Sequence, residues 1–512
     1  MRSVTAWPRS NARAAICPPV RPVKMFVMQR TSSTGVCVFP AVTRMFMSSP
    51  GIRYREEPPV RCSPRRVGDT PLQSGYTSAL GSISLLYSDP EPLMSRLAIP
   101  LLGLVICATV ARADNWPAWR GSTGQGYVEE KNLPSKWSAK ENVKWKVSLA
   151  DQGNSTPIIW GSKIFMTQAN KGGTVRSLLC LARADGKEIW KKDVAYEPKE
   201  KNWNESWYCN ASPVTDGERV IVCFGSAGVY CYDLDGKELW KRTDLGKWEH
   251  AFGNGASPVI HGDNVIQWCG PNDGKTDNYL LAMNKKTGET VWKHGESFGS
   301  WSTPVVAKVD GKDQLVLGQS RDVKSAPETK WGSLRGFDPK TGKELWVCQG
   351  LNSYVYTSAL VSNGTAVGMS GYGGSSLAVK LGGTGDITKD RLWMHPKPAG
   401  QRVGSGIIVG EHVYMVDEAG LSHCYELATG KDLWEGEKIK GQTWGSMIHS
   451  DGRLYLLMKN GDTHVLAAKP KFELLATNSL APGEQTNSSI AVSDGELYIR
   501  TFKSLYCVSE RK

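Results

Sequence analysis

A tight turn followed by a tryptophan is written into this chain again and again. DGKEIW ends at Trp190, DGKELW at Trp240, TGETVW at Trp292, TGKELW at Trp346 and TGKDLW at Trp434. Self-similarity with a period of roughly 40–50 residues marks a repeat architecture, in which one unit cannot bury its apolar face alone and its neighbours complete the core. Residues 211–242, ASPVTDGERVIVCFGSAGVYCYDLDGKELWKR, show the plan whole. A Ser-Pro step opens onto short alternating runs of β-branched and aromatic residues, parted by turns that carry Gly or Asp. No segment has a comparable helical period, so each unit predicts a four-stranded antiparallel meander.

Closing strands fall at Trp145, Trp190, Trp240, Trp292, Trp346, Trp393, Trp434 and Leu475, and opening strands near Pro157, Pro213, Pro258, Pro304, Ala359, Gly406, Met447 and Ile490. The two sets are offset. The chain meets a closing strand first (Val143–Leu149) and ends on three strands that lack one (Ser488–Val508). The expected fold is therefore all-β: an eight-bladed propeller whose N-terminal strand completes the last blade and so removes two unpaired sheet edges. The repeat itself is architectural. Gly tolerates the positive φ of the tight turn, and the tryptophan four residues on lies on the outer strand, where its indole can pack against the neighbouring blade. Catalysis needs no such repetition. Ten residues before the tryptophan stands a small residue (Cys180, Ala282, Gly336, Cys424; Cys231 with one residue deleted, and Cys507 in the last blade). Cysteine there stands in for Ala or Gly in a crowded layer, and Cys223 with Cys231 is the one plausible close pair.

Two further positions repeat. Every opening strand starts at a hydroxyl residue: Thr156, Ser212, Ser257, Thr303, Ser358, Ser405, Ser446 and Ser489. Eight nucleophiles in a row make no chemical sense; eight hydroxyls that bond neighbouring backbone where strands crowd the axis do. Two residues earlier the position varies: Asn154, Asn210, Gly255, Trp301, Tyr356, Val403, Trp444 and Asn487. Asn154, Asn210, Trp301, Tyr356, Trp444 and Asn487, with Arg402 for charge, form a candidate channel-mouth site that could stack on and hydrogen-bond a flat polar ligand. The simpler reading is that the aromatic side chains plug the hole of a large propeller.

The pattern small-x-D-x-x-T-G-K-x-x-W, clearest in GFDPKTGKELW (Gly336–Trp346) and AMNKKTGETVW (Ala282–Trp292), resembles the tryptophan-docking motif of quinoprotein propellers. By resemblance, Trp145, Trp190, Trp240, Trp292, Trp346, Trp393 and Trp434 are the docking residues. The chain from Asp114 on resembles the PQQ-like β-propeller group, which holds enzymes and non-enzymes. Its quinoprotein dehydrogenases bind pyrroloquinoline quinone and Ca²⁺ on the axis, many beneath a ring of adjacent cysteines. This sequence has no Cys-Cys pair, and no calcium triad is placed by motif. The other branch, which this chain resembles in blade design, is the propeller subunit of the outer-membrane β-barrel assembly machine, a non-catalytic scaffold. Related sensor modules sit on bacterial kinases, but no H-R-D or D-F-G motif stands here.

The net charge of +12 suggests nucleic acid until its position is read. Residues 1–93 carry net +7, Arg96 and Arg112 add two, and the remainder carries +3. That near-balance removes the case for nucleic acid. Residues 94–113 have an n-region with Arg96, a short apolar run (Leu97–Val110) and Ala111-Arg112-Ala113, the layout of a signal peptide too short to span a bilayer. Ile106 before Cys107 argues against a lipoprotein anchor. We therefore expect a mature start at Asp114, a propeller over 114–512, and an extension over 1–93 that is mis-called or disordered, being rich in Arg, Ser and Pro.

Other chemistry is thin. The histidines form no H-x-H and no H-E-x-x-H. GPNDGKTDN (Gly270–Asn278) brings Asp273 and Asp277 together but breaks the EF-hand spacing, so a hairpin loop is expected. KLGGTGDITKD (Lys380–Asp390) is glycine-rich without a following helix and reads as a lengthened outer turn. The sequence thus leads to an exported, periplasmic or secreted, monomeric propeller that does not span a membrane. It is a non-catalytic binding or scaffold module for an envelope or extracellular protein or a small polar ligand, with no cofactor. The rival is a quinoprotein oxidoreductase carrying quinone and Ca²⁺.

Overall fold

Short strands rich in Val, Ile, Leu and Tyr pair antiparallel with their sequence neighbours through connections of two to twelve residues, and the chain folds as eight separate sheets. The computed structural model describes residues 115–200, 205–248, 250–271, 277–296, 299–320, 331–352, 354–396 and 400–510. The extension (1–93), the signal-like segment (94–113), the start at Asp114 and Asp273 lie outside the described residues. The only helical turns among those described are two 3₁₀ turns, Gly225–Ala227 and Thr388–Asp390, and no helix is long and apolar enough to cross a membrane.

Blades one to seven each run in sequence order from an inner to an outer strand. Blade two, for example, is Val214–Thr215, Arg219–Cys223, Val229–Asp233 and Glu238–Arg242. Blade eight combines Ala491–Ser493, Glu496–Arg500 and Ser504–Val508 with Val143–Ser148, which pairs antiparallel to the last of these at Trp145↔Cys507 and Val147↔Leu505. The ring closes as the strand count requires, and both chain-end edges are covered.

The repeated tryptophan acts between blades. Trp145, Trp190, Trp240, Trp292 and Trp393 donate their indole N–H to Arg183, Leu234, Lys285, Pro339 and Leu427, the turn carbonyls of the next blade, at 2.8–3.1 Å. The turn glycine of that next blade lies under the same indole. At Gly288 (φ 76°) an added Cβ would stand 2.7 Å from Trp240, and at Gly342 (φ 70°) 2.4 Å from Trp292. Glycine is required twice over, for its left-handed backbone and for the bare surface on which the ring lies. The small residue ten positions earlier is the tryptophan's direct cross-strand partner, as at Cys180↔Trp190 and Ala282↔Trp292.

Two tryptophans depart from this pattern. Trp434 does not lie on a strand: Glu435 and Gly436 both take left-handed backbone (φ 55° and 83°), and the outer strand of blade six is only Glu437–Lys438. Its indole still reaches the carbonyl of Lys469 at 3.0 Å. Trp346 is fully buried and bonds Gln314 of its own blade at 2.8 Å. The reason is the segment read as a lengthened turn. Gly385–Asp386 pairs parallel to Trp346–Val347, and Ile387 N–H donates to the Val347 carbonyl at 2.9 Å. Blade five thus grips blade four by strand addition, where six other junctions use an indole. Turned inward, Trp346 lies over Gly336, where an added Cβ would meet Nε1 at 2.1 Å. Gly336→Ala should therefore cost about 1–3 kcal/mol by overpacking, measured by denaturant unfolding. Unchanged stability would show that the indole can swing outward.

All eight cysteines of the propeller are buried and free. Cys223 faces Val229 and Cys231 faces Ile221 across the hairpin, so the two sulfurs do not oppose each other. Burial raises the thiols of Cys180, Cys231, Cys424 and Cys507 to about 12, which keeps them protonated packing groups.

Candidate functional site

The eight hydroxyl residues form one closed hydrogen-bonded ring. The N–H of Thr156 donates to Ser212 Oγ, and the same step repeats through Ser257, Thr303, Ser358, Ser405, Ser446 and Ser489, whose N–H donates back to Thr156 Oγ1, all at 2.9–3.2 Å. Each bond crosses from one blade to the next. The hydroxyls satisfy backbone donors that the crowded axis leaves without a sheet partner. They are fasteners, not nucleophiles.

The variable position two residues earlier faces a cavity of about 800 Å³ on the axis, lined in part by Asn154, Asn210, Trp301, Tyr356, Trp444 and Asn487. Arg402 is the exception among the candidate residues. It is buried, donates through Nη1 to the Gly374 carbonyl at 2.7 Å, and does not line the cavity. The charge assigned to it at the mouth is corrected accordingly: its long side chain runs into the wall, where the Gly374 carbonyl receives it.

The mouth has two unlike sides. On one, Trp301 stands edge-on to Tyr356 at 5.1 Å and 82°, Tyr354 lies beside Tyr356 at 26°, and Tyr372 meets Tyr354 at 82°. On the other, Asn154 donates to the Glu205 carbonyl (2.6 Å) and to Asn210 Oδ1 (2.8 Å), while Lys459 pairs with the Glu205 carboxylate at 2.6 Å. Trp444 joins the sides: Lys459 Nζ stands 4.2 Å from its ring centroid, and its Nε1 donates to Glu418 at 2.8 Å.

The opposite end is closed by a segment outside the repeat. Trp116 bridges to Ile159, and Arg120 donates to the carbonyls of Gly406 (2.6 Å) and Gln125 (2.7 Å), one residue past the hydroxyl ring in blade six. Trp119 then contributes to the cavity wall. Sequence reasoning missed this floor, because residues 115–127 carry no period. It also missed Glu418, Lys459 and Tyr372. These sit in the turns between second and third strands of blades six, seven and five, which open on the same side as the mouth. Strand order alone could have placed those turns there.

Eight four-stranded blades around a hydroxyl-fastened axial cavity define a propeller of the quinoprotein type. Residues 172–436, just over half of the chain, match the family model described as outer membrane protein assembly factor BamB, and the chain belongs to that family. A BamB of Burkholderia pseudomallei is 23% identical over 322 residues, 54% of this chain and 75% of the relative. Methanol dehydrogenase subunit 1 of Methylobacterium organophilum is 30% identical over 145 residues, 26% of this chain but 22% of that subunit. The quinohemoprotein alcohol dehydrogenase of Comamonas testosteroni shares the fold, with a TM-score of 0.59 at 12% identity, over 79% of this chain and 82% of that one.

Proposed function

We propose that this chain is an exported, non-catalytic propeller scaffold that holds an envelope protein or a small polar ligand at its channel mouth. The observation that carries this reading is the chemistry of the cavity. The one cation of its described lining, Lys459, is already spent on Glu205 and the face of Trp444, and the rest of that lining is aromatic, amide and hydroxyl, apart from Gly255, Val403 and the carboxylate of Glu418. Membership of an assembly-factor family supports a scaffold, and the signal-like segment supports export.

The described lining of the cavity does not fit the quinone of the dehydrogenase branch. Pyrroloquinoline quinone is a tricarboxylate that sits with a cation, and its site needs several positive groups and a carboxylate cluster. Among the described residues one paired lysine faces two carboxylates, Arg402 points into the wall, and no group of three metal-binding side chains occurs. The 30% match to a methanol dehydrogenase subunit nevertheless makes the oxidoreductase the reading to test against. Purified protein mixed with the quinone and Ca²⁺, then gel-filtered, should retain no quinone absorbance and reduce no dye with alcohols or sugars. Stoichiometric retention with dye reduction would replace the scaffold by an enzyme.

A further inference from the structure

The cavity's polar groups are not evenly spent, and the imbalance has a sign. Glu205 has its lysine. Glu418 has no cation among the described residues; its Oε1 accepts the indole N–H of Trp444, and no partner is assigned to its second oxygen. That carboxylate lines the same cavity as Trp301, Tyr354, Tyr356 and Tyr372 and acts electrostatically on the Tyr356 hydroxyl. The rings do not make a flat platform. Tyr354 and Tyr356 lie within 26° of parallel, but Trp301 meets Tyr356 at 82° and Tyr372 meets Tyr354 at 82°, so the wall turns a corner on each side of that pair. Tyr372 is 59% exposed and meets the edge of the group through Tyr354, so its ring is open to a ligand at the mouth. Burial, then the neighbouring tyrosines and Glu418, raise the Tyr356 hydroxyl's pKa, so that ring stays neutral.

Corners of π faces beside a half-used carboxylate suit one ligand chemistry. Aromatic faces attract cations through the ring quadrupole. A flat sugar face would call for a flat platform, and an anion would meet Glu418 with the same sign. A quaternary ammonium would leave the free carboxylate oxygen without a donor, whereas an N–H cation would satisfy it with a charge-assisted hydrogen bond. We infer that the channel mouth binds an organic cation bearing N–H donors, a guanidinium or primary ammonium, with Glu418 as its anchor and Trp301, Tyr356 and Tyr372 as its aromatic walls. The inference rests on the scaffold reading of the same site and deepens it: the ligand of the mouth is a basic group, either on a free small amine or on a side chain of a protein partner.

The test uses calorimetric titration of the full-length purified protein with three probes: N-acetyl-arginine methylamide, the peptide acetyl-Gly-Gly-Arg-Gly-Gly-amide and methyl glucoside. The expected result is binding of the arginine probes that weakens with added salt, and no binding of the glucoside. Glu418→Gln keeps an acceptor for Trp444 and should weaken arginine binding about tenfold or more. Tyr372→Ala, at an exposed ring, should weaken it about threefold or more. Tighter binding of the peptide than of the single residue assigns the site to a protein partner; equal binding assigns it to a free amine. No arginine binding at millimolar concentration, unchanged affinity in Glu418→Gln, or binding of the glucoside alone overturns the inference and leaves the scaffold reading standing. Quinone retention in a parallel sample with Ca²⁺ would instead overturn the scaffold reading itself.

Discussion

Deleting residues 115–149 should leave the protein insoluble. Val143–Ser148 is the fourth strand of blade eight, and its loss bares the hydrogen-bonding edge of Ser504–Val508, a strand of SLYCV. An exposed apolar edge is a template for pairing with another chain. The deletion also removes Trp145, whose indole joins blade eight to the Arg183 carbonyl of blade one at 3.1 Å. Trp116, Leu133 and Trp137 go with it, all buried in the cluster beneath blades seven, eight and one, together with the Arg120 floor. Burying a large apolar side chain contributes roughly 1.5–3 kcal/mol, so three of them approach the 5–15 kcal/mol by which a domain is typically stable. The soluble fraction on expression and the melting temperature check this. A soluble, monomeric deletion protein that melts with the intact chain would mean the ring closes by some other contact.

What could be read in advance follows from what repeats. A contact made eight times leaves eight copies in the sequence, which is why the hydroxyl ring, the blade count and the closing strand were all legible. The Ser/Thr position is uniform because each hydroxyl must accept the same backbone N–H. The site was legible only where it borrows a repeat position: Asn154, Trp301, Tyr356 and Trp444 stand two residues above the ring and do face the cavity. Arg402 stands one residue off that period, and one residue along extended backbone turns a side chain to the other face. The Arg120 floor is made once, by a segment without strands, so no internal comparison could expose it. Trp346 was misread for the opposite reason. It keeps the full motif, TGKELW, but its partner turn in blade five has been lengthened into Gly385–Asp386, and the contact depends on both blades.

Trp240→Ala and Trp444→Ala should differ sharply, although each removes one indole. Trp240 is 8% exposed, lies on Gly288 of the next blade, and donates to the Lys285 carbonyl at 3.0 Å. Truncation opens a cavity at a blade junction that the neighbouring sheets cannot collapse into, and the expected loss is about 3–5 kcal/mol. Trp444 is half-buried at the mouth. It would forfeit one hydrogen bond to Glu418 and one lysine–ring contact, together about 1–2 kcal/mol. Denaturant unfolding of both variants separates the two roles that tryptophan plays in this chain. A small loss at Trp444, together with weaker binding of an arginine probe, makes the mouth a recognition surface, because its aromatic residues are then dispensable for the fold. Equal large losses would make Trp444 a plug that holds blades six and seven apart, and the cavity would then be a by-product of ring size.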